Sequence, residues 1–245
     1  MRNLLGVALA TSMAIGGLVA ALEARAAQRA QPAKTPDWSG IWEVDWRNTR
    51  KSPPIPAMKL TPEFQTKLDA FRAGRKKGEN LQGQAANCVP PGLPRIMTQP
   101  YPIEFVFAPG KVVLLIEAYM QFRHIYTDGR KHPDDPDPTF MGHSTGHWEG
   151  DTLVAESVGF TESTQLADGV PHSDKLRIVE RFRRVNPDFM EIQTTLIDPV
   201  VLAEPYTSTR SYRHLDDEIR EYICLENNRD SADDKGRPGL SLEKR

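Results

Sequence analysis

From Ile103 to Cys224 the chain is a succession of short strand-like runs, each closed by residues that turn the backbone. IEFVFA and KVVLLIEAY meet at Pro109-Gly110, and QFRHIYT stops at Asp128-Gly129. GHSTGHW and TLVAESVGF flank Glu149-Gly150-Asp151, and DKLRIVERFRRV and FMEIQTTLI flank Asn186-Pro187-Asp188. YTSTRSYRH and EIREYIC flank Leu215-Asp216-Asp217. Runs this short, with turn formers between them, read as strands rather than helices. With WSGIWEVDW (Trp38 to Trp46) as a first strand, the pattern predicts about ten strands in an all-β antiparallel meander. Closure into a barrel removes exposed edges and is the first expectation; a two-sheet sandwich is the alternative.

One short helix is expected near 62–77, inserted after the first strand. Thr61 stands as N-cap, Pro62 takes the first helical position and Glu63 the first turn. Phe64, Leu68 and Phe71 then recur at helical spacing up to Gly78. Residues 38–228 are thus read as a single barrel domain. Residues 1–26 read as a signal peptide: Arg2, an apolar run from Leu4 to Leu22, then Ala24-Arg25-Ala26 as a cleavage pattern. Residues 27–37 are a polar, proline-bearing lead-in, and the charged stretch 229–245 is expected to be disordered. The mature chain is therefore expected in the periplasm or secreted, with no stable membrane span once the leader is removed. The chain contains two cysteines, Cys88 and Cys224, and export predicts that they are joined as a disulfide. A net charge of −2 gives no basic surplus to attract nucleic acid.

The chemistry-bearing residues are concentrated. Five of the six histidines (His124, His132, His143, His147 and His172) fall within one stretch that also carries Tyr126, Asp174 and several other acids. Strand alternation sorts them, because alternate side chains face opposite sides. Glu180 shares a face with Leu176, Ile178 and Phe182; Glu156 with Val154, Val158 and Phe160; Glu117 with Val113, Leu115 and Tyr119. A carboxylate in an apolar pocket is raised toward the range useful for acid–base work. The competing reading is an internal salt bridge to Arg123, Arg177, Arg181 or Arg210. His124 and Tyr126 share a face with Phe122 and form a candidate proton-handling pair, and His172, on a loop, is a further partner. The expected catalytic set is Glu180, Glu156, Glu117, His124, Tyr126 and His172. His143, His147, Trp148, Arg123 and Asp174 are expected to position a ligand.

Other chemistries fit less well. In a strand His143 and His147 stand roughly 13 Å apart, too far for one zinc ion at about 2 Å from each. Asp134, Asp135 and Asp137 with His132 read as a solvated acidic loop. Gly142-His143-Ser144-Thr145-Gly146 matches the letters of a nucleophile elbow, but the strand–turn–helix context that motif needs is missing. No phosphate-binding or dinucleotide fingerprint is present, so no cofactor is expected.

Two resemblances add to this. Gly40-Ile41-Trp42 is similar to the G-x-W that opens the lipocalin barrel, which implies a cup for a small apolar ligand. The chain departs from that pattern by inserting residues 47–102 after the first strand. The segments IYTDGR at Ile125–Arg130, His132-Pro133 and GHSTGHWEGDTLV at Gly142–Val154 resemble a group of exported bacterial proteins. That resemblance covers most of 88–228 and implies export but no particular reaction. The expectation is an exported barrel acting on a small apolar or aromatic molecule in a polar-lined cavity, as a cofactor-independent lyase, isomerase or hydratase. The alternatives are a non-catalytic binding protein and a metal-binding protein using histidines.

Overall fold

The computed structural model describes residues 36–46, 55, 57–79 and 88–224. The leader, most of the lead-in and the tail lie outside these residues. Among the described residues, the unit that begins at Asp37 has nine strands that close into a barrel in chain order. They are β1 Gly40–Val44, β2 Ile103–Ala108, β3 Lys111–Ile116, β4 Gln121–Tyr126, β5 His143–Glu149, β6 Thr152–Val158, β7 Arg177–Asn186, β8 Phe189–Ile197 and β9 Tyr206–Leu215. β1 pairs with β9 through Ile41↔Leu215 to Val44↔Tyr212, and that pairing closes the ring. The barrel, rather than the sandwich, is therefore the fold.

The meander is not antiparallel throughout. β4 and β5 run parallel. A closed ring with an odd number of strands cannot alternate direction at every step, so nine strands require such a pair. Asp128-Gly129 accordingly does not make a hairpin. Residues 127–142 cross back to the end of the barrel where β4 began, as parallel pairing requires. The crossover enters β5 through Gly142, at φ +64°, where an added Cβ would lie 2.6 Å from Val158 O and from the Phe160 ring.

The predicted helix is present as α1, Pro62–Lys76, with Pro62 in its first turn and Leu68 buried. Thr61 stands at the N-cap position as expected, but its hydroxyl makes no capping bond and donates instead to Val200 O at 3.0 Å. Helix and barrel are thereby tied together, as they are by Thr61 N–H to Val201 O. The barrel interior is occupied by large apolar side chains, among them Trp38, Trp42, Phe105, Leu114, Ile125 and Phe182. Trp38 packs edge-on against Phe105, Phe107 and Trp148. Cys88 and Cys224 form a disulfide across 136 residues, fastening the segment before β2 to the one after β9.

Strand alternation held for β7, where Ile178, Glu180 and Phe182 all point inward. It is reversed in β3 and β6. The inward residues of β3 are Val112, Leu114 and Ile116. Those of β6 are Leu153, Ala155 and Ser157, which puts Glu156 on the outer side. Both faces of β3 and β6 carry apolar residues, so alternation alone does not say which one is inside. β7 is unambiguous because its other face carries Arg177, Arg181 and Arg183.

Candidate functional site

The parallel seam creates an opening in the wall. β4 and β5 register at only two pairs, Ile125↔Ser144 and Tyr126↔Thr145. Before Ile125 the strands diverge, leaving a cleft of about 340 Å³ between β4 and residues 139–144. Small-molecule sites span about 300–1,000 Å³, so this cleft has room for one small ring system. Phe122, His124, Tyr126 and His143 line it, with Arg123 and Ser144 at its inner side. Phe122, 63% exposed, adds an aromatic ring to the lining.

The wall of the cleft is a connected set of rings. Tyr126 stacks on His143 with centroids 5.5 Å apart, and the Arg130 guanidinium lies over the Tyr126 ring, 3.9 Å from its centroid. Arg130 is held in turn by Asp128. His124 Nδ1 lies 3.4 Å from Tyr126 Oη. His143 Nδ1 lies 2.9 Å from Nδ1 of His132, which the crossover delivers from outside the sheet. His132 Nε2 is 3.1 Å from Thr145 Oγ1 and 3.7 Å from Glu156 Oε1. Glu156 is also held by Arg177 at 2.9 Å.

This arrangement constrains where protons sit. Two Nδ1 atoms at 2.9 Å share one hydrogen, so one ring donates and the other accepts. The Glu156 carboxylate favours a proton on His132 Nε2. His132 Nδ1 is then bare and accepts from His143 Nδ1–H. That leaves His143 Nε2 as a bare nitrogen, and among the described residues nothing hydrogen-bonds to it. Both rings are held neutral. Burial lowers the pKa of His143, and the positive forms of His132 and Arg130 lower it further. Burial likewise lowers His132, with Glu156 acting in the opposite direction. His124 is lowered by burial and then by Lys111. The cleft therefore presents a neutral base, backed by a path through His132 to a carboxylate.

Behind the cleft lies a second polar group, inside the barrel. Arg123 and Glu180 are an ion pair at 2.5 Å, both side chains almost fully buried. Arg123 Nε donates to Ser144 Oγ at 3.0 Å and its NH2 group to Ser157 Oγ at 2.9 Å, with the two hydroxyls 2.7 Å apart. Nearby, Tyr212 donates to Met97 O at 2.7 Å. Burial, and then the charge of Glu180, push its phenol well above the ordinary range, so it stays protonated.

The structure therefore brings together Arg123, His124, Tyr126 and His143, and it separates the other expected site residues. Glu180 is buried behind the seam and does not line the cleft. Glu156 reaches the site only through His132. Glu117 follows the end of β3 and accepts from the Arg220 N–H at 2.9 Å. The His124–Tyr126 pair faces the outer cleft, not the lumen. His172 is a loop-locking residue, with Nε2 2.7 Å from Thr164 Oγ1 and Nδ1 2.8 Å from Ser173 O. His147 is exposed beside Glu149, Trp148 packs on Trp38 and Phe107, and Asp174 pairs with Lys175 in solvent. Asp134, Asp135 and Asp137 are exposed on the crossover. Among the described residues no group of three or more His, Cys, Asp or Glu side chains is placed to hold a metal ion. His132, read from the sequence as part of a solvated acidic loop, is instead brought against His143. Eleven positions from His143 and outside any strand, it has no periodicity to mark it. No protein-family model and no curated protein sequence matches the chain.

Proposed function

We propose that the protein binds a small aromatic or apolar molecule in the β4–β5 cleft and moves a proton on it without a cofactor. Isomerisation, elimination and hydration next to a carbonyl all have this requirement. The observation that carries the reading is the Nδ1–Nδ1 link between His143 and His132. It leaves Nε2 of His143 as the base on a cleft wall made of Phe122, Tyr126 and His124. On accepting a proton, His143 becomes a cation whose charge is relayed through His132 toward Glu156. Tyr126 and His124 supply hydrogen bonds to a ligand oxygen, and Phe122 supplies a ring face. The disulfide and the predicted leader support placement in the periplasm or outside the cell. Among the described residues no helix is long and apolar enough to cross a membrane.

Proton abstraction can be detected without knowing the product. Incubation of the protein in D2O with a panel of small aromatic ketones and aldehydes that carry exchangeable α-protons reads base catalysis directly by NMR. The wild type is expected to accelerate exchange for a subset, with amide shifts confined to β4 and β5. His143→Gln is expected to retain those shifts and to lose about 100-fold or more of the exchange. Because the pKa of His143 is lowered, the base form persists below the ordinary value of 6.5, and exchange falls only as pH drops through the lowered value. Shifts with no exchange in the wild type would leave a binding protein. Exchange indifferent to His143→Gln would remove the assignment.

A further inference from the structure

A second cavity lies inside the barrel, away from the seam. It measures about 260 Å³, is partly open, and is bounded by the inner faces of β8 and β9 and by the 3-10 turn Arg95–Thr98. The inward positions here are Thr194 and Leu196 of β8 and Tyr206, Ser208 and Arg210 of β9. Arg95 enters from the covering turn.

The electrostatics are one-sided. The lining residues include two guanidinium groups and no carboxylate. Among the described residues the Arg95 side chain has only a neutral hydrogen-bond partner, Gln165 Oε1, at 3.1 Å. Arg210 is half-buried and, among the described residues, makes no hydrogen bond or ion pair. On β7 and β9, Arg177, Arg181, Arg183 and Arg213 each hold a glutamate, and Arg184 is taken up by the backbone carbonyls of Asp37, Asn186 and Pro187. A half-buried cation without a counter-charge is unfavourable, and a bound anion relieves that cost. Two buried acids lie close in sequence or register: Glu180, in register with Thr194, is neutralised by Arg123, and Asp198, two residues beyond Leu196, accepts from Ser173 and from the Val200 and Val201 N–H groups. Asp168, close to the lining residue Ala167, is engaged by Arg75. The rest of the lining divides by chemistry. Thr98, Thr194 and Ser208 offer hydroxyls, while Met58, Met97 and Leu196 offer an apolar surface.

We propose that this cavity is a binding site for a small organic carboxylate. Arg210 and Arg95 receive the carboxylate, assisted by the Ser208 and Thr194 hydroxyls, and the methionines and Leu196 enclose an apolar or aromatic body. Paired guanidinium donors select a planar carboxylate, and the apolar wall disfavours a bare inorganic anion. The site does not depend on the seam reading and shares no residue with it.

Calorimetric titration with benzoate and hexanoate, set against benzamide, hexanamide and inorganic phosphate, tests the assignment. At least one carboxylate is expected to bind about tenfold or more tightly than its amide and than phosphate. Arg210→Gln is expected to weaken that binding at least about tenfold, and Arg210→Lys less. Should Arg210→Gln fail to fold, Arg95→Gln, on the covering turn outside the barrel wall, is read in its place. His143→Gln should leave carboxylate affinity unchanged, which keeps this test separate from that of the seam. Equal affinity for acid and amide, preference for phosphate, or full affinity in the arginine variants would each overturn the proposal.

Discussion

Replacing Glu180 by Ala is expected to cost about 3–5 kcal/mol of folding stability, measured as a lower midpoint in urea denaturation. The reason lies in the residue left behind. Arg123 stays almost fully buried and loses the only carboxylate it has among the described residues, while Ser144 and Ser157 satisfy just part of its guanidinium. Small domains are stable by about 5–15 kcal/mol, so this loss would leave a marginal barrel. Removing both charges together, as Arg123→Met with Glu180→Leu, should restore most of the stability, because no uncompensated charge remains inside. The contrast between single and double replacement is the informative quantity. If Glu180→Ala costs less than about 1 kcal/mol, the pair is not the buried electrostatic centre that the geometry indicates.

The second large effect is expected from the disulfide. Cys88–Cys224 closes a loop of 136 residues that contains all of β2 to β9. Chain-entropy arguments put the stabilisation from so long a loop at roughly 4–5 kcal/mol before any native strain is subtracted. Cys88→Ala with Cys224→Ala is therefore expected to lower the urea midpoint without changing the far-UV signature of the barrel. Thermal unfolding of wild type with and without reductant should show the same displacement. A reduced protein as stable as the oxidised one would mean that the crosslink constrains little of the unfolded chain.

How much of this was legible in the sequence depends on particular residues. The barrel could be read because tight turns at Pro109-Gly110, Glu149-Gly150-Asp151 and Asn186-Pro187-Asp188 set hairpins in register. Glu180 could be placed inside because arginines on the other face of β7 fix which side meets water. Glu156 and Glu117 could not, since β3 and β6 are apolar on both faces and alternation carries no sign there. The cleft itself was hidden. It arises from the parity of a nine-strand ring, and no local pattern marks the Asp128-Gly129 turn as the start of a crossover rather than a hairpin. His132 was hidden with it, because its partner lies across that crossover. The cysteine pairing was legible from the even cysteine count and the expected leader, without geometry. Arg210 stood out in the sequence only as a candidate salt-bridge partner. Its lack of a carboxylate among the described residues appears only against Arg177, Arg181, Arg183 and Arg213, each of which holds a glutamate.

The central claim is that His132 and His143 share one hydrogen and leave a bare nitrogen facing the cleft. Long-range proton–nitrogen correlation spectra of the 15N-labelled protein at neutral pH read the state of each imidazole nitrogen directly. The account predicts His143 with hydrogen on Nδ1 and a bare Nε2, and His132 with hydrogen on Nε2 and a bare Nδ1 accepting the shared bond. Addition of a ligand that donates a hydrogen bond in the cleft should move the His143 Nε2 signal first. A spectrum showing His143 protonated at Nε2, or both rings as imidazolium at neutral pH, would contradict the account.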